Sequence, residues 1–248
     1  MKKHIILFFM LVTLAGNGFS QKGITTFGIQ YKPIVPNRFI GTYEQDFNEG
    51  PLLSSTRQKF GNVFGMVVRH GFTKNFSVET GINFTQRNFD LFYEMPDSGW
   101  SGSNDVRMIS YSIPVSGLIY IRLGEQFYMN TSLGASMVLF PSDVQVFTNI
   151  EGVSSYFLME GAYRGKLQGA MDANLGFEYR TKKFGYFYLG ASYHLPFAPI
   201  ATFAMSYEHE GGDVLSIGNI RGSYATIDLR YFFNERKDKK MGDREKDN

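Results

Sequence analysis

Three histidines after the first twenty residues, His70, His194 and His209, are the side chains best suited to move a proton or bind a metal near neutral pH. His194 follows Ser192 by two positions, which on a strand puts both on one face. A serine beside a base could act as a nucleophile if an acid oriented the imidazole. Residues two apart on a strand face are neighbours by default, however, so the pair is read as structural. Glu208-His209-Glu210 with Asp213 offers carboxylates and an imidazole to a divalent cation. Its spacing repeats no known metal loop, and an exposed acidic loop is the expectation. His70 falls at a turn and is read as solvated. The remaining candidates are charges inside alternating stretches: Glu79, Arg87, Arg122, Asp172, Glu178, Arg180, Asp228 and Arg230. They could line a pore or pair with one another. The sequence assigns no catalytic, cofactor-binding or metal site, and an enzyme is not expected.

The elements that carry these residues are strands. In Tyr224–Phe233 the residues Ala225, Ile227, Leu229, Tyr231 and Phe233 share one face, and Tyr224, Thr226, Asp228 and Arg230 share the other. Period-two alternation gives one apolar and one polar side. The same pattern runs through Phe76–Thr85 and Leu167–Arg180. About eight strands are expected, near Ile24–Pro33, Phe60–His70, Phe76–Phe92, Met108–Leu123, Phe127–Phe140, Lys166–Arg180, Tyr186–Leu195 and Gly222–Phe233. Their connections alternate in length. Gly71–Asn75, Gly124–Gln126 and Thr181–Gly185 are short, whereas Ile34–Lys59, Tyr93–Arg107, Pro141–Gly165 and Pro196–Arg221 are long and rich in Gly, Pro, Ser, Asn and Asp.

Two kinds of closed sheet alternate in this way: a soluble barrel with its apolar face inward and a membrane barrel with that face outward. Lysine placement discriminates. Lys22, Lys32, Lys59, Lys74, Lys166, Lys182 and Lys183 are read at strand ends or turns, and the rest in the tail. The polar face carries small groups instead, among them Ser77, Gly81, Ser112, Ser116, Gly134, Gly176, Gly190 and Ser192, which suits a confined lumen. Aromatic residues near strand ends, Phe76, Phe92, Phe127, Phe140, Tyr179, Tyr186, Tyr231 and Phe233, fit interfacial belts. A mean hydropathy of −0.19 is compatible with this, because only alternate residues meet lipid. The expectation is all-β: an antiparallel up-and-down transmembrane β-barrel of about eight strands, with long extracellular loops and short periplasmic turns.

Residues 1–20 have the form of a secretory signal, with Lys2 and Lys3 ahead of the apolar run Ile5–Ala15 and small residues at Gly18 and Ser20. The barrel is expected over 21–233 in the cell outer membrane, and 234–248 as a charged, disordered periplasmic tail. With 0 Cys no disulfide can form. The net charge of +2 falls to near zero once the signal lysines are removed, and no basic cluster marks a nucleic-acid partner. No cofactor is expected.

The segment Gly71-Phe72-Thr73-Lys74-Asn75-Phe76-Ser77-Val78-Glu79-Thr80-Gly81-Ile82-Asn83-Phe84 resembles the hairpin of the PorT-like outer-membrane β-barrel domain family. Ile109-Ser110-Tyr111-Ser112-Ile113-Pro114-Val115 resembles one of its strand starts, with Ser112 where a glutamate is common. The closing Tyr231-Phe232-Phe233 fits as well. The resemblance covers most of residues 22–233. It implies a small barrel inserted by the assembly machinery, in contact with outer-membrane lipid and lipopolysaccharide, and it transfers no catalytic residue. An eight-stranded lumen nearly fills with its own side chains, so the inward charges are expected to form an ion-pair network. Loop aromatics, namely Tyr43, Phe47, Trp100, Phe147, Tyr156, Phe157 and Tyr163, would serve either a recognition surface or a small core of their own. The role expected is structural or interactive, with surface loops binding an envelope partner or ligand. The alternatives are an accessory of an envelope secretion or transport machine and, less favoured, a lipid-modifying enzyme.

Overall fold

The computed structural model describes residues 25–36, 44–48, 50–73, 75–97, 99–141, 144–149, 156–181, 183–209 and 212–234. Residues 1–20, read as a secretory signal, and nearly all of 234–248, read as a tail, lie outside these residues. Eight long strands form the barrel: β1 (Thr25–Val35), β3 (Leu53–Gly71), β4 (Phe76–Met95), β5 (Trp100–Arg122), β6 (Phe127–Leu139), β9 (Leu167–Arg180), β10 (Tyr186–Pro196) and β13 (Tyr224–Phe232). Each pairs antiparallel with its neighbours in chain order, and β1 pairs with both β3 and β13, which closes the ring. Closure leaves no unpaired edge in the wall, the condition for spanning lipid with strands.

The barrel strands alternate in burial as they do in polarity, with local breaks such as Lys59–Phe60 on β3. On β13, Tyr224, Thr226, Asp228, Arg230 and Phe232 are buried, while Ile227 and Leu229 point out. The exterior is an apolar band built from residues such as Phe27, Ile29, Met66, Ile82, Ile113, Leu133, Leu175 and Leu189. Among the described residues no Asp, Glu, Lys or Arg points outward within this band. A soluble protein does not expose such a surface, and a bilayer requires it. Leu175 is 54% exposed and its neighbour Asn174 only 8%. Leu175→Arg is therefore expected to destabilise the barrel by roughly 2–4 kcal/mol near the midplane. Asn174→Arg should show no lipid penalty. Unfolding from vesicles in urea measures both, and equal tolerance of the two would exchange the faces.

The belt residues divide. Phe76, Phe92, Phe127, Tyr179 and Phe233 are exposed on the outside, and the half-buried Tyr231 lies between them. Phe140 and Tyr186 belong elsewhere, because both are turned inward, Phe140 into an apolar core and Tyr186 against Val67, Tyr188 and Phe232. Lys32 and Lys59 are also not at strand ends. Lys32 lies inside β1 with its ammonium in the lumen, and Lys59 lies inside β3, exposed on the outer face.

The long connections are not bare loops. β3, β4 and β5 run well beyond the apolar band, and the short β2 (Glu44–Asp46) pairs onto β3. Opposite them, β7 (Val144–Asn149), β8 (Tyr156–Tyr163), β11 (Ala201–His209) and β12 (Gly212–Ile220) form a second sheet in the order β12-β11-β8-β7. The two walls enclose one apolar core, with Phe89, Leu91, Tyr93, Val106 and Met108 from the first and Phe203, Met205 and Tyr207 from the second. β7 touches β5 at one seam. At the other, the Phe47 carbonyl accepts from the hydroxyls of both Ser54 (2.6 Å) and Ser216. The long-loop end of the molecule is thus a cored β-headpiece standing on the barrel.

Candidate functional site in the barrel lumen

Below the headpiece, toward the short turns, the lumen is polar. Arg69 and Glu79 face each other from paired positions on β3 and β4, Glu178 and Arg180 come from β9, and Asp228 and Arg230 come from β13. Inward positions recur every second residue, so each strand delivers its charges at a fixed height. The result is one chain of alternating sign. Arg180 Nε donates to Glu178 (2.6 Å), and Glu178 accepts from Arg69 Nη1 (2.5 Å). Arg69 Nη2 also donates to Glu79 (3.0 Å), Glu79 accepts from Arg230 Nη1 (2.5 Å), Arg230 Nη2 donates to Asp228 (2.6 Å), and Asp228 ends on Lys32 Nζ (3.2 Å). Neutral groups complete the shell. Asp228 also accepts from Ser192 and Thr226 (both 2.6 Å) and from Asn174 (3.2 Å), while Tyr188 donates to Asn174 (2.6 Å). Gly176 and Gly190 make room for this tyrosine, since a Cβ on either would meet its hydroxyl at 2.3 or 2.4 Å. At the short-turn end the Arg180 guanidinium lies over the rings of Tyr120, Tyr128 and Tyr186, and Arg69 over Phe232 at 3.9 Å.

Arg122, expected in this network, is not part of it. It is exposed at a short turn, where its Nε donates to the Gly124 carbonyl (2.9 Å). The alternation of β5 breaks at Ile121–Arg122, where both residues are exposed. Arg87 is inward but higher than the ion-pair chain, at the floor of the apolar core. It is 1% exposed, donates to the Gly222 carbonyl (2.9 Å), and lies over the rings of Tyr224 and Phe140.

The Ser192–His194 pair does not form. Ser192 donates to Asp228, whereas His194 Nδ1 lies 2.7 Å from Asp172 Oδ1 and its ring stacks on Tyr224 at 4.7 Å. The imidazole has an acid but no hydroxyl nucleophile in the arrangement that acyl transfer requires. Its Nε2 has no protein partner and belongs to the lining of a cavity of about 50 Å³, shared with Lys32, Glu79, Asp172 and Arg230. That is space for a few waters, too little for a lipid or sugar substrate. His70 stays near the short turns, with Nδ1 2.8 Å from the Thr25 hydroxyl. Glu210 lies outside the described residues, as do the side chains of Glu208, His209 and Asp213. Among the described residues no three of His, Asp and Glu gather as metal ligands. Of the loop aromatics, Phe47, Trp100 and Tyr163 pack against the headpiece core. Tyr43 and the side chains of Phe147, Tyr156 and Phe157 lie outside the described residues. Ser112 is buried in the lumen, 3.5 Å from Asn83 Nδ2.

Sequence reasoning missed Lys32 and the strands of the headpiece, although it held a small core of the loop aromatics as one of two alternatives. Lys32 had a signal, since it is in phase with Gln30 on the inward face of β1, but the adjacent Pro33 made it look like a strand end.

No family model and no curated protein matches the chain. Solved structures do. The outer membrane protein OprG from Pseudomonas aeruginosa aligns over 85% of this chain and 96% of its own, at 12% identity and a TM-score of 0.51. The Yersinia pestis outer membrane protein Ail aligns over 85% and 100%, at 15% identity and a TM-score of 0.33. The translocator domain of the autotransporter NalP from Neisseria meningitidis aligns over 94% and 96%, at 8% identity and a TM-score of 0.22. The similarity to OprG is one of fold: an antiparallel up-and-down outer-membrane β-barrel, with no helix among the described residues of this chain.

Proposed function

We propose that this protein is a closed outer-membrane barrel that anchors a rigid extracellular headpiece, and that the headpiece binds an envelope partner or ligand. The observation that carries this reading is that the interior is filled at two levels. An ion-pair chain spans the lower lumen, and an apolar core that includes Phe89, Phe140 and Phe203 lies above it, continuous with the headpiece. A solute would have to part both. The same core fixes the long connections against each other, which favours a preformed binding surface. The resemblance of residues 71–84 and 109–115 to PorT-like barrels supports a role in the cell envelope, beside lipopolysaccharide and an envelope partner. The histidine with no nucleophile and the water-sized cavity support a non-enzymatic role.

The test has two arms. Purified protein in planar bilayers is expected to show no stable open state, and a reproducible conductance lost in Arg230→Ala would overturn the closed-barrel reading. Crosslinking on intact outer membranes is expected to capture a partner through the headpiece. Capture that persists when β11–β12 is replaced by a short Gly-Ser turn would remove the headpiece from the proposal.

A further inference from the structure

The outer wall of β3, β4 and β5 changes character at a defined height. Below it the outward residues include the amides Asn62 and Gln86 and then the apolar side chains Phe60, Phe64, Ile82 and Ile113. The pairing registers place Lys59 opposite Asn88 and Asn88 opposite Arg107, so these three form one row across the strands. The next row, farther from the apolar band, is Arg57, Asp90 and Asp105 by the same registers. Charge is therefore ordered by depth, with two cations and an amide nearest the lipid and both aspartates farther out.

The register of β3 against β4 shifts between Lys59 and Asn62. A bulge re-aims side chains, and here Lys59 and Phe60 are both exposed on successive positions. Gly61 is required beside them, because a Cβ there would meet the Gln86 carbonyl at 2.3 Å. The Phe60 carbonyl freed by the shift accepts from Asn88 Nδ2 (2.7 Å). Beside the bulge lies a cleft of about 670 Å³ lined by Lys59, Phe60, Asn88 and Arg107 and, on its far side, by Arg57, Asp90 and Asp105 of the next row. Lys59 reaches up to Asp105 (2.7 Å), a hydrogen bond that raises its ammonium above the usual lysine range. Arg107 makes no ion pair among the described residues.

We propose that the row Lys59–Asn88–Arg107 binds the phosphate of an outer-leaflet lipid, with Phe60 and the apolar wall beneath it against the acyl chains. Neighbouring strands are about 4.8 Å apart, so the two cations flank the middle strand at a span that a phosphorylated sugar headgroup can bridge. Arginine and lysine make charge-assisted hydrogen bonds to phosphate oxygens. The site rests on the headpiece facing outward, so binding is measured in detergent, where orientation plays no part, and orientation is read separately by surface labelling.

Folded protein in octyl glucoside is immobilised and offered bis-phosphorylated lipid A, the same lipid with its phosphates removed, and inorganic phosphate. Retention of the phosphorylated lipid is expected, with loss of at least about tenfold in Lys59→Ser/Arg107→Ser. Arg122→Ser, exposed at a short turn at the opposite end of the barrel, should stay near the native level, and Asp105→Asn, which frees Lys59, should retain more. All four positions are exposed, and the heat-modifiable band confirms that each variant is folded. Unchanged retention in the double variant overturns the site. So does equal retention of the dephosphorylated lipid, and so does millimolar inorganic phosphate that displaces the lipid, which would make free phosphate the ligand.

Discussion

Glu79→Ala is expected to lower barrel stability by about 3–5 kcal/mol, the usual consequence of removing one partner from a buried ion pair. Glu79 holds Arg69 through one carboxylate oxygen and Arg230 through the other, at 3.0 and 2.5 Å. Removing it leaves two buried guanidiniums facing each other across a low-dielectric lumen, although Arg69 keeps Glu178 and Arg230 keeps Asp228. Glu79→Gln retains the volume and should recover only part of the loss, because an amide satisfies one guanidinium as acceptor and turns its N–H toward the other. The measurement is the urea midpoint of refolded protein in vesicles, together with the temperature at which the heat-modifiable band is lost. A cost under about 1 kcal/mol would mean that the pair is solvated as a surface salt bridge is.

Phe203→Ala should act at the other level. Phe203 is 1% exposed in the headpiece core, and its ring fills the space that a Cβ on Gly161 would occupy. Truncating a buried Phe costs about 3–5 kcal/mol, part of it for the cavity left behind. The chain has Trp 1, which is Trp100, packed against this core. Its fluorescence therefore reports the headpiece, whereas heat modifiability reports the barrel. The expected result is a Trp100 transition at much lower denaturant with the barrel band unchanged. Simultaneous loss of both signals would show that headpiece and barrel unfold as one unit, and would remove the idea of a separable cap. In Glu79→Ala the order should be reversed, with the barrel signal lost at lower denaturant than in the native protein.

The two variants separate what was legible in the chain from what was not. Period-two alternation is a local property, so residues such as Ile82, Leu175 and Leu229 could be set outward and Asn83, Asn174 and Asp228 inward before any pairing was known, and all six lie as expected. The same alternation, with its small inward residues and with lysines kept off the apolar band, determined the transmembrane barrel. Partner identity is not local. Arg230 meets Glu79 across 151 positions and Arg69 meets Glu178 across 109, and only closure of the ring at β1 sets which inward charges share a height. That closure also drew Lys32 into the lumen, while the β9–β10 register paired His194 with Asp172 in place of Ser192, and Arg122 lies outside as the last residue of β5. The long connections were read as loops because their strands are interrupted by Gly, Pro and Asn and lean on each other for burial. β11 has alternate apolar residues, Ala201, Phe203, Met205 and Tyr207, but a short strand has no stable apolar side until a second wall covers it. Tertiary structure supplied that wall from the extended ends of β3, β4 and β5, and so turned four apparent loops into one core.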